Sequence, residues 1–522
     1  MTAPCLLGID VGTSGTKVLA VTTDGTVLAQ SSCPHRLSAP RPGWVEQDPD
    51  DWWAATQAAV RTVVGRIPGG PQQIAAVGLS GHMSSIVGID AAGRPVRPCM
   101  LLSDTRSADE ATWLDQRFGR RIQRLCGARP TAAAVAPRML WLQRHEPEAY
   151  QRTSAFVFAK DYVRLRLTGE LASEATDAGN TMLFGLDSGR WDERLIQDAG
   201  LDVAKLPQLV PTSAVAGEVT AKAAAATGLR AGTPVVAGAA DMAATAVGAG
   251  AVEPGVVSIT IGTAAPVITS FQAMPGRARG QVTFHVHPRP GWLYSIGSIF
   301  SGGLSLSWLA DVTGGHGVDD RTAVYERLSA EAAAVSRGSD GVIFLPFLVG
   351  SGSPDIDSAM RGTFLGLSLM TDRGALVRAV MEGVAYNARE CIDVFRRLGA
   401  PVDRIHLGGG GSASSTWQQI FAGVLGTPVH PVVVRDMAAL GSAALAGVGI
   451  GAFADVQAAA RTLVKFEEPV GTGGDEAVET YERGYEAYRR ARLGVRPLYR
   501  QWSDQRVSGA RRGGGAGDNR SD

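Results

Sequence analysis

Asp10 closes the apolar run Leu6-Leu7-Gly8-Ile9 and opens onto Val11-Gly12-Thr13-Ser14-Gly15-Thr16-Lys17. A carboxylate followed by a Gly/Ser/Thr turn suits phosphate chemistry. The turn can aim backbone N–H groups and hydroxyls at an anion, and Lys17 can add a positive charge. The carboxylate can hold Mg²⁺, usually through water. The spacing is not that of a GxxxxGK[ST] loop. The same residues also make an ordinary hairpin turn, and this motif by itself does not choose between the two.

Asp241 stands among small apolar neighbours in Val236-Ala237-Gly238-Ala239-Ala240-Asp241-Met242-Ala243-Ala244. A carboxylate there costs free energy unless it is paired or used. Such surroundings suit a general base for a hydroxyl; they equally suit a helix cap before an Ala-rich helix. Thr263 lies in a second Gly-Thr turn, Gly262-Thr263-Ala264-Ala265, and two such turns facing one another could grip a polyphosphate. Four glycines, 408–411, follow Ile405-His406-Leu407, and Ser412 is placed to cap the next helix. So many glycines are costly in entropy, which favours a flat ligand lying on the backbone over a plain strand-to-helix turn. The stretches Gly43-Trp44-Val45-Glu46-Gln47-Asp48-Pro49 and Leu102-Ser103-Asp104-Thr105-Arg106 offer carboxylates, amides and an aromatic face for a sugar. Asp104 and Arg106 also read as a surface ion pair, the commoner fate of such residues. His82 alone reads as structural.

These groups need rigid elements to aim them. Apolar runs on either side of the Gly12 turn and the Asp24-Gly25 turn predict a strand–turn–strand–turn–strand meander. A helix is predicted over 49–64 and a buried strand over 74–79. Residues 256–261 and 267–270 repeat the strand, Gly-Thr turn, strand pattern, a fold-level duplication that makes each half an α/β domain. The boundary falls between 240 and 253, giving domains at 1–245 and 246–493. Beyond Leu493 the pattern stops, and 494–522, polar and glycine-rich, reads as a disordered tail.

Composition narrows the function classes. With 522 residues, two large domains are the natural expectation. Lys+Arg and Asp+Glu are equal at 50 each, so neither nucleic acid nor an anionic membrane is indicated as a partner. The five cysteines are scattered without a CxxC pair, which fits a reducing compartment. The N-terminus enters a strand-like run at once, so no signal peptide is expected and a cytoplasmic protein is. Residues 235–252 carry Asp241 and are only weakly apolar, predicting a buried helix rather than a membrane span.

Taken together these stretches resemble the FGGY carbohydrate kinases, most closely the xylulokinases among them. The resemblance runs from Leu6 to about Tyr488. It rests also on Lys160-Asp161-Tyr162, Leu167-Thr168-Gly169-Glu170, Arg361-Gly362-Thr363-Phe364-Leu365-Gly366-Leu367 and Glu382-Gly383-Val384-Ala385-Tyr386. It implies two actin-like, ribonuclease-H-like α/β domains with a cleft between them, the sugar on the N-terminal side and ATP on the C-terminal side. It implies ATP-dependent phosphorylation of a ketopentose such as xylulose. Asp241 then matches the catalytic base, and Asp10 the Mg²⁺-associated carboxylate. Thr13, Ser14, Thr263, Gly303, Gly410 and Ser414 match nucleotide contacts; Met83, Ser84 and Asp104, with Asp241, match sugar contacts. A homodimer is implied by family analogy alone. This chain departs from the xylulokinase pattern at Gly81-His82-Met83-Ser84-Ser85, where an imidazole is usual at Ser84, at Met242, where an amide is usual, and at Gly350-Ser351-Gly352-Ser353-Pro354. Gluconate and polyols therefore stand beside D-xylulose as acceptors to be compared. A sugar-binding regulator without catalysis and an actin-like ATPase are the rival classes.

Overall fold

The computed structural model of the protein describes residues 4–276, 280–315 and 320–513. The chain forms two compact units. The first takes the chain up to Ser258 together with Ile268–Ser295 and Val432–Phe466; the second takes Ile259–Val267, Ile296–Pro431 and the chain from Glu467 onward.

The first unit is built on a mixed sheet. The predicted meander is present as Cys5–Val11 (β1), Gly15–Thr22 (β2) and Val27–Pro34 (β3), each pair antiparallel. The predicted helix spans Pro49–Val64 (α1). Asp48 caps it by accepting the Asp50 N–H, and Pro49 occupies the first turn, where its missing N–H costs nothing. The buried strand Ile74–Gly81 (β4) runs parallel to β1. Ala159–Thr168 (α2), Val215–Glu218 (β5), Pro234–Val236 (β6), the two-residue strand Ala239–Ala240 (β7) and Asp241–Gly248 (α3) follow. The sheet order is β5-β6-β4-β1-β2-β3, with β7 also on β4.

Every residue of β1 is buried, as expected of a strand covered on both faces. Its odd positions, Cys5, Leu7, Ile9 and Val11, join a core with Trp52, Val60 and Val63 of α1. Its even positions turn the other way, with a period of two. They meet a helix from far along the chain, Met437–Gly449. A Cβ on Gly8 would lie 1.8 Å from the Ala439 carbonyl oxygen, and one on Gly78 1.9 Å from that of Ser442. Only glycine lets this helix lie so close to the sheet. Asp10, next in the even series, is thereby aimed at the start of that helix.

A second sheet contains Gly255–Thr260 (β8), Val267–Phe271 (β9), Thr283–Val286 (β10), Leu293–Gly297 (β11), Val402–Gly408 (β12) and Val429–Pro431 (β13). Its order is β10-β11-β9-β8-β12-β13. The chief helices that remain are Gly303–Ala310 (α4), Arg321–Ala333 (α5), Arg373–Arg397 (α6), Ser415–Leu425 (α7), the Met437–Gly449 helix (α8) and Asp475–Gly513 (α9).

Helix α9 corrects the expectation for the tail. Regular structure does not stop at Leu493 but continues to Gly513. Ion pairs from Arg492 to Asp355 (2.6 Å) and from Arg496 (3.2 Å) and Arg500 (2.8 Å) to Asp357 hold the helix, with Tyr499 bonded to Thr363. Polar composition hid a helix fixed by charge pairs rather than by an apolar stripe. Residues 514–522 of the expected tail lie outside the described residues. Among the described residues no helix is long and apolar enough to cross a membrane, and 241–248 is helix α3. All five cysteines are free.

Candidate active site

In the first unit, strand register assembles one row of residues. Asp10 pairs with Lys17 on β2 and with Ser80 on β4, and Ser80 pairs with Ala239 on β7. Because β1, β4 and β7 are mutually parallel where they pair, this row lies at their carboxyl ends, where open α/β sheets bind ligands. The Ser80 hydroxyl donates to Asp10 Oδ1 at 2.8 Å. Oδ2 faces the Gly12 turn, 3.6 Å from where a Gly12 Cβ would stand. Burial raises the Asp10 carboxyl above the usual range, against the Ser80 bond and the nearby Lys17 charge.

Asp241 follows β7 directly and is the first residue of α3. The capping position belongs to Ala240, so the simple N-cap reading of Asp241 does not hold. Its Oδ1 accepts the N–H groups of Met242 (2.7 Å) and Met83 (3.3 Å). Burial, then the negative charge of Asp10, pushes its pKa up to about 7, while the two N–H bonds oppose that rise. A carboxyl poised near neutrality beside a second carboxyl is the signature expected of a general base.

Other predicted residues are engaged differently. Lys17 pairs with Asp436 at 2.7 Å, so its charge is already matched. Thr13 and Ser14 are exposed on the turn; the Gly12 N–H is turned inward to Gly15 O (3.1 Å). Met83 is half-buried beside Asp241. Ser84 is buried with φ +60°, and its carbonyl accepts from the buried Arg138, which also binds Leu102 O (3.0 Å) and Ala133 O (2.7 Å). His82 is buried and neutral, its pKa pushed down to about 3 by burial, with Nδ1 against Ser85 Oγ at 2.6 Å.

The Asp104–Arg106 pair is a correction. It is no surface pair: Asp104 is fully buried. Its oxygens accept from Val45 N, Arg106 N, Arg106 Nε and Arg106 Nη2 at 2.6–3.0 Å. Arg106 also stacks on Trp44 at 3.6 Å, and Arg41 lies 4.8 Å from the same ring. The Trp44 ring is thus covered by guanidinium groups, and the carboxylate of Asp104 is saturated within the protein.

In the second unit, the Gly262–Thr263 turn meets the start of α4. Gly303 N–H donates to Gly262 O (2.7 Å) and Leu304 N–H to Thr263 O (3.1 Å), leaving the Thr263 side chain exposed. The glycine run ends β12 as a short 3₁₀ turn, 410–413. Gly409, with φ +80°, passes so close that a Cβ would lie 2.7 Å from Ile261 O, whereas a Cβ on Gly410 would meet nothing within 4 Å. Gly410 therefore borders open space. The helix cap is Ser414, not Ser412: Ser414 Oγ accepts the Trp417 N–H (3.1 Å) and bonds Ser329. Ser412 instead donates to Gly409 O (2.7 Å), because the 3₁₀ turn delays the helix start.

Two residues of the first unit escaped the sequence reading. Ser80 was hidden because only register shows that it meets Asp10. Asp436 left a signal: Asp436-Met437-Ala438-Ala439 repeats Asp241-Met242-Ala243-Ala244.

Comparison with known proteins supplies the family. Residues 5–248 match the model of the FGGY family of carbohydrate kinases, N-terminal domain, and 257–450 that of its C-terminal domain. The xylulose kinase of Escherichia coli (strain K12) is 33% identical over 443 residues, covering 85% of this chain and 89% of that protein. The xylulose kinase of Lactococcus lactis subsp. lactis is 30% identical over 485 residues, covering 93% and 95%. The crystal structure of xylulose kinase from Rhodospirillum rubrum superposes with a TM-score of 0.84 at 30% identity, over 95% of this chain and 100% of that one.

Proposed function

The chain belongs to the FGGY family of carbohydrate kinases, and from that we propose that it transfers the γ-phosphoryl group of ATP to a hydroxyl of a ketopentose, xylulose first among the acceptors, with Asp241 as general base. The observation that supports the assignment of the base is the position of Asp241 at the carboxyl ends of parallel strands, with a pKa of about 7 beside Asp10. Its ionised carboxylate accepts the acceptor hydroxyl proton as that oxygen bonds to the γ-phosphorus. The bond from the γ-phosphorus to the β–γ bridging oxygen breaks, and ADP leaves. Little covalent work falls to the protein, so positioning and charge stabilisation supply most of the acceleration. The N–H groups of Met83 and Met242 hold Asp241 Oδ1 in place.

For the nucleotide we assign, each within its own unit, the exposed Thr13 and Ser14 of the first, and the open face at Gly410 and the exposed Thr263 side chain of the second. Gly303 shapes the Thr263 turn through its N–H bond, and Ser414 fixes the helix after the glycine run, so both serve indirectly. Lys17, held by Asp436, is not assigned to phosphate.

Mg²⁺ fits Asp10. Its Oδ2 faces the turn, its surroundings favour a counter-cation for two neighbouring carboxyls, and Mg²⁺ asks for only one or two carboxylates while keeping its waters. Among the described residues no cluster of three or more His, Cys, Asp or Glu forms a metal cage, as such a water-rich site requires none. When bound, the ion neutralises charge on the phosphates.

The acceptor is tested by ADP release with D-xylulose, other pentuloses, pentitols, tetritols and gluconate. We expect a ketopentose to give the highest kcat/KM. ADP release that no sugar stimulates would reject the kinase reading, and a gluconate optimum would reject the acceptor.

A further inference from the structure

Behind Asp241, still within the first unit, lies a cluster of charged side chains that is sealed from solvent. Lys160, Asp161, Arg164, Glu174 and Asp177 are all fully buried. Lys160 Nζ lies 2.8 Å from Asp161, 2.7 Å from Asp177 and 3.1 Å from Glu174. Arg164 Nη1 adds a bond to Asp161 at 3.0 Å, and Ser173 Oγ donates to the other oxygen of Asp161 at 2.7 Å. Burial pushes Asp177 well above the usual carboxylate range. Taking so many charges out of water is expensive, and a well-packed apolar core would serve stability as well. The cluster therefore calls for a reason beyond stability.

Its bonds to the backbone supply one. Arg164 Nη1 donates to Ala237 O at 2.7 Å, and Thr176 Oγ accepts the Ala240 N–H at 2.8 Å. Thr176 Oγ donates in turn to Glu174 Oε1 at 2.8 Å, the oxygen that Lys160 also approaches. The segment 237–240 is gripped at both ends. It needs that grip, because β7 is two residues long and, among the described residues, pairs only with β4. Ala240 is fully buried, so its N–H has Thr176 as acceptor in place of water. Asp241 is the next residue. The far side of the site bears on the same cluster: a Cβ on Gly81, just before His82 and Met83, would lie 2.7 Å from the Lys160 backbone nitrogen.

We propose that Thr176, braced by Glu174 and Lys160, is a positioning residue that fixes the backbone entering Asp241 and so sets the aim of that carboxylate. The inference rests on the reading of Asp241 as the base. A rigid scaffold matters because small misplacements of a reacting group cost rate out of proportion to their size. Loss of the hydroxyl leaves the Ala240 N–H without a partner, and the short strand shifts to find one.

The test compares Thr176→Val, which keeps the branched shape without the hydroxyl, with Thr176→Ser, which restores it. Thr176→Val should lower kcat by roughly 10- to 100-fold while sugar KM moves less than about threefold. Thr176→Ser should stay within about threefold of the parent. In an Asp241→Asn background, Thr176→Val should change the residual turnover by less than about twofold, because the group it aims is gone. Parental kcat in folded Thr176→Val, with Asp241→Asn crippled, overturns the positioning role and leaves the base intact. An equal loss in both backgrounds also overturns it. Parental kcat in Asp241→Asn overturns the base and the positioning role together. Glu174→Gln, which keeps the acceptor but removes its charge, serves if Thr176→Val does not fold; we expect about a threefold to tenfold loss of kcat, and parental kcat there overturns the role.

Discussion

Asp241 and Asp436 begin the same four residues, Asp-Met-Ala-Ala, at the start of two helices that touch through glycines. A Cβ on Gly248 of α3 would stand 1.9 Å from Met437 O, and one on Gly441 of α8 1.9 Å from Ala244 O. Identical local sequence has nonetheless produced opposite electrostatics. Asp436 meets a lysine at 2.7 Å near the surface. Asp241 meets two backbone N–H groups, apolar surroundings and the field of Asp10. The Asp-Met-Ala-Ala pattern delivers a carboxylate to a helix start; the strand opposite it decides whether that carboxylate is neutralised by a cation or left poised to take a proton. Lys17 on β2 is the residue that separates the two outcomes.

The largest expected effect is on turnover. Asp241→Asn keeps shape and both N–H bonds but cannot accept a proton, so kcat should fall at least about 100-fold, the low end for a general base. Asp436→Asn should leave kcat within about threefold, since a part-exposed ion pair carries little energy. Steady-state kinetics of the two variants check this, and equal losses would dissolve the distinction. Next comes Asp10→Ala, which we expect to raise the Mg²⁺ concentration needed for half-maximal rate by about tenfold or more at unchanged fold. Coincident Mg²⁺ titrations of variant and parent would make Asp10 structural.

The pH dependence gives a third and smaller contrast. Only ionised Asp241 accepts a proton, so kcat should rise with pH through about 7. The Asp10 charge helps raise that pKa, so Asp10→Asn should move the rise to lower pH in whatever activity remains. Asp436→Asn should not move it, because Asp436 is not among the groups that raise Asp241. A pH–rate profile of each variant decides.

One side of this contrast, Asp241, was legible from residue order; the other was not, for physical reasons. The β1–β3 meander, α1 and β4 followed from apolar runs and turn residues, because local patterning fixes them. Asp241 and Asp10 stood out as carboxylates in apolar surroundings. Hidden were the features made by contacts across hundreds of residues. Lys17 meets Asp436 from 419 positions away; over a shorter span of 59, Asp104 accepts the Val45 N–H in its buried position. Residues 432–466 return to the first unit because α8 packs on glycines of β1 and β4, and glycine spacing reveals close approach only once the partner is known. The tail misled for a related reason: Asp355 and Asp357, which anchor α9, lie far upstream of it.

The smallest effect is on stability, and its sign should differ between the two aspartates. The pKa of Asp241 is raised in the fold to about 7 from the usual carboxylate value of 3.8. Between those values the folded protein keeps a proton that the unfolded chain has lost, so stability falls as pH rises through that window. Above pH 7 both states are ionised and the whole cost of the buried charge is present. Asp241→Asn removes that cost. At pH 8 it should stabilise the protein by about 2 kcal/mol, discounted for the part of the carboxylate that water reaches. At pH 4, where the parent carboxyl is largely neutral in the fold, the gain should shrink towards zero. Asp436→Asn gives up its bond with Lys17 and should cost no more than about 0.5 kcal/mol at pH 8, less in 0.5 M salt, where surface charges are screened. Urea titrations of parent and both variants at the two pH values measure these differences. Destabilisation by Asp241→Asn at pH 8 would mean that its charge is compensated by a partner, as that of Asp436 is, and the contrast between the two helix starts would lose its electrostatic basis.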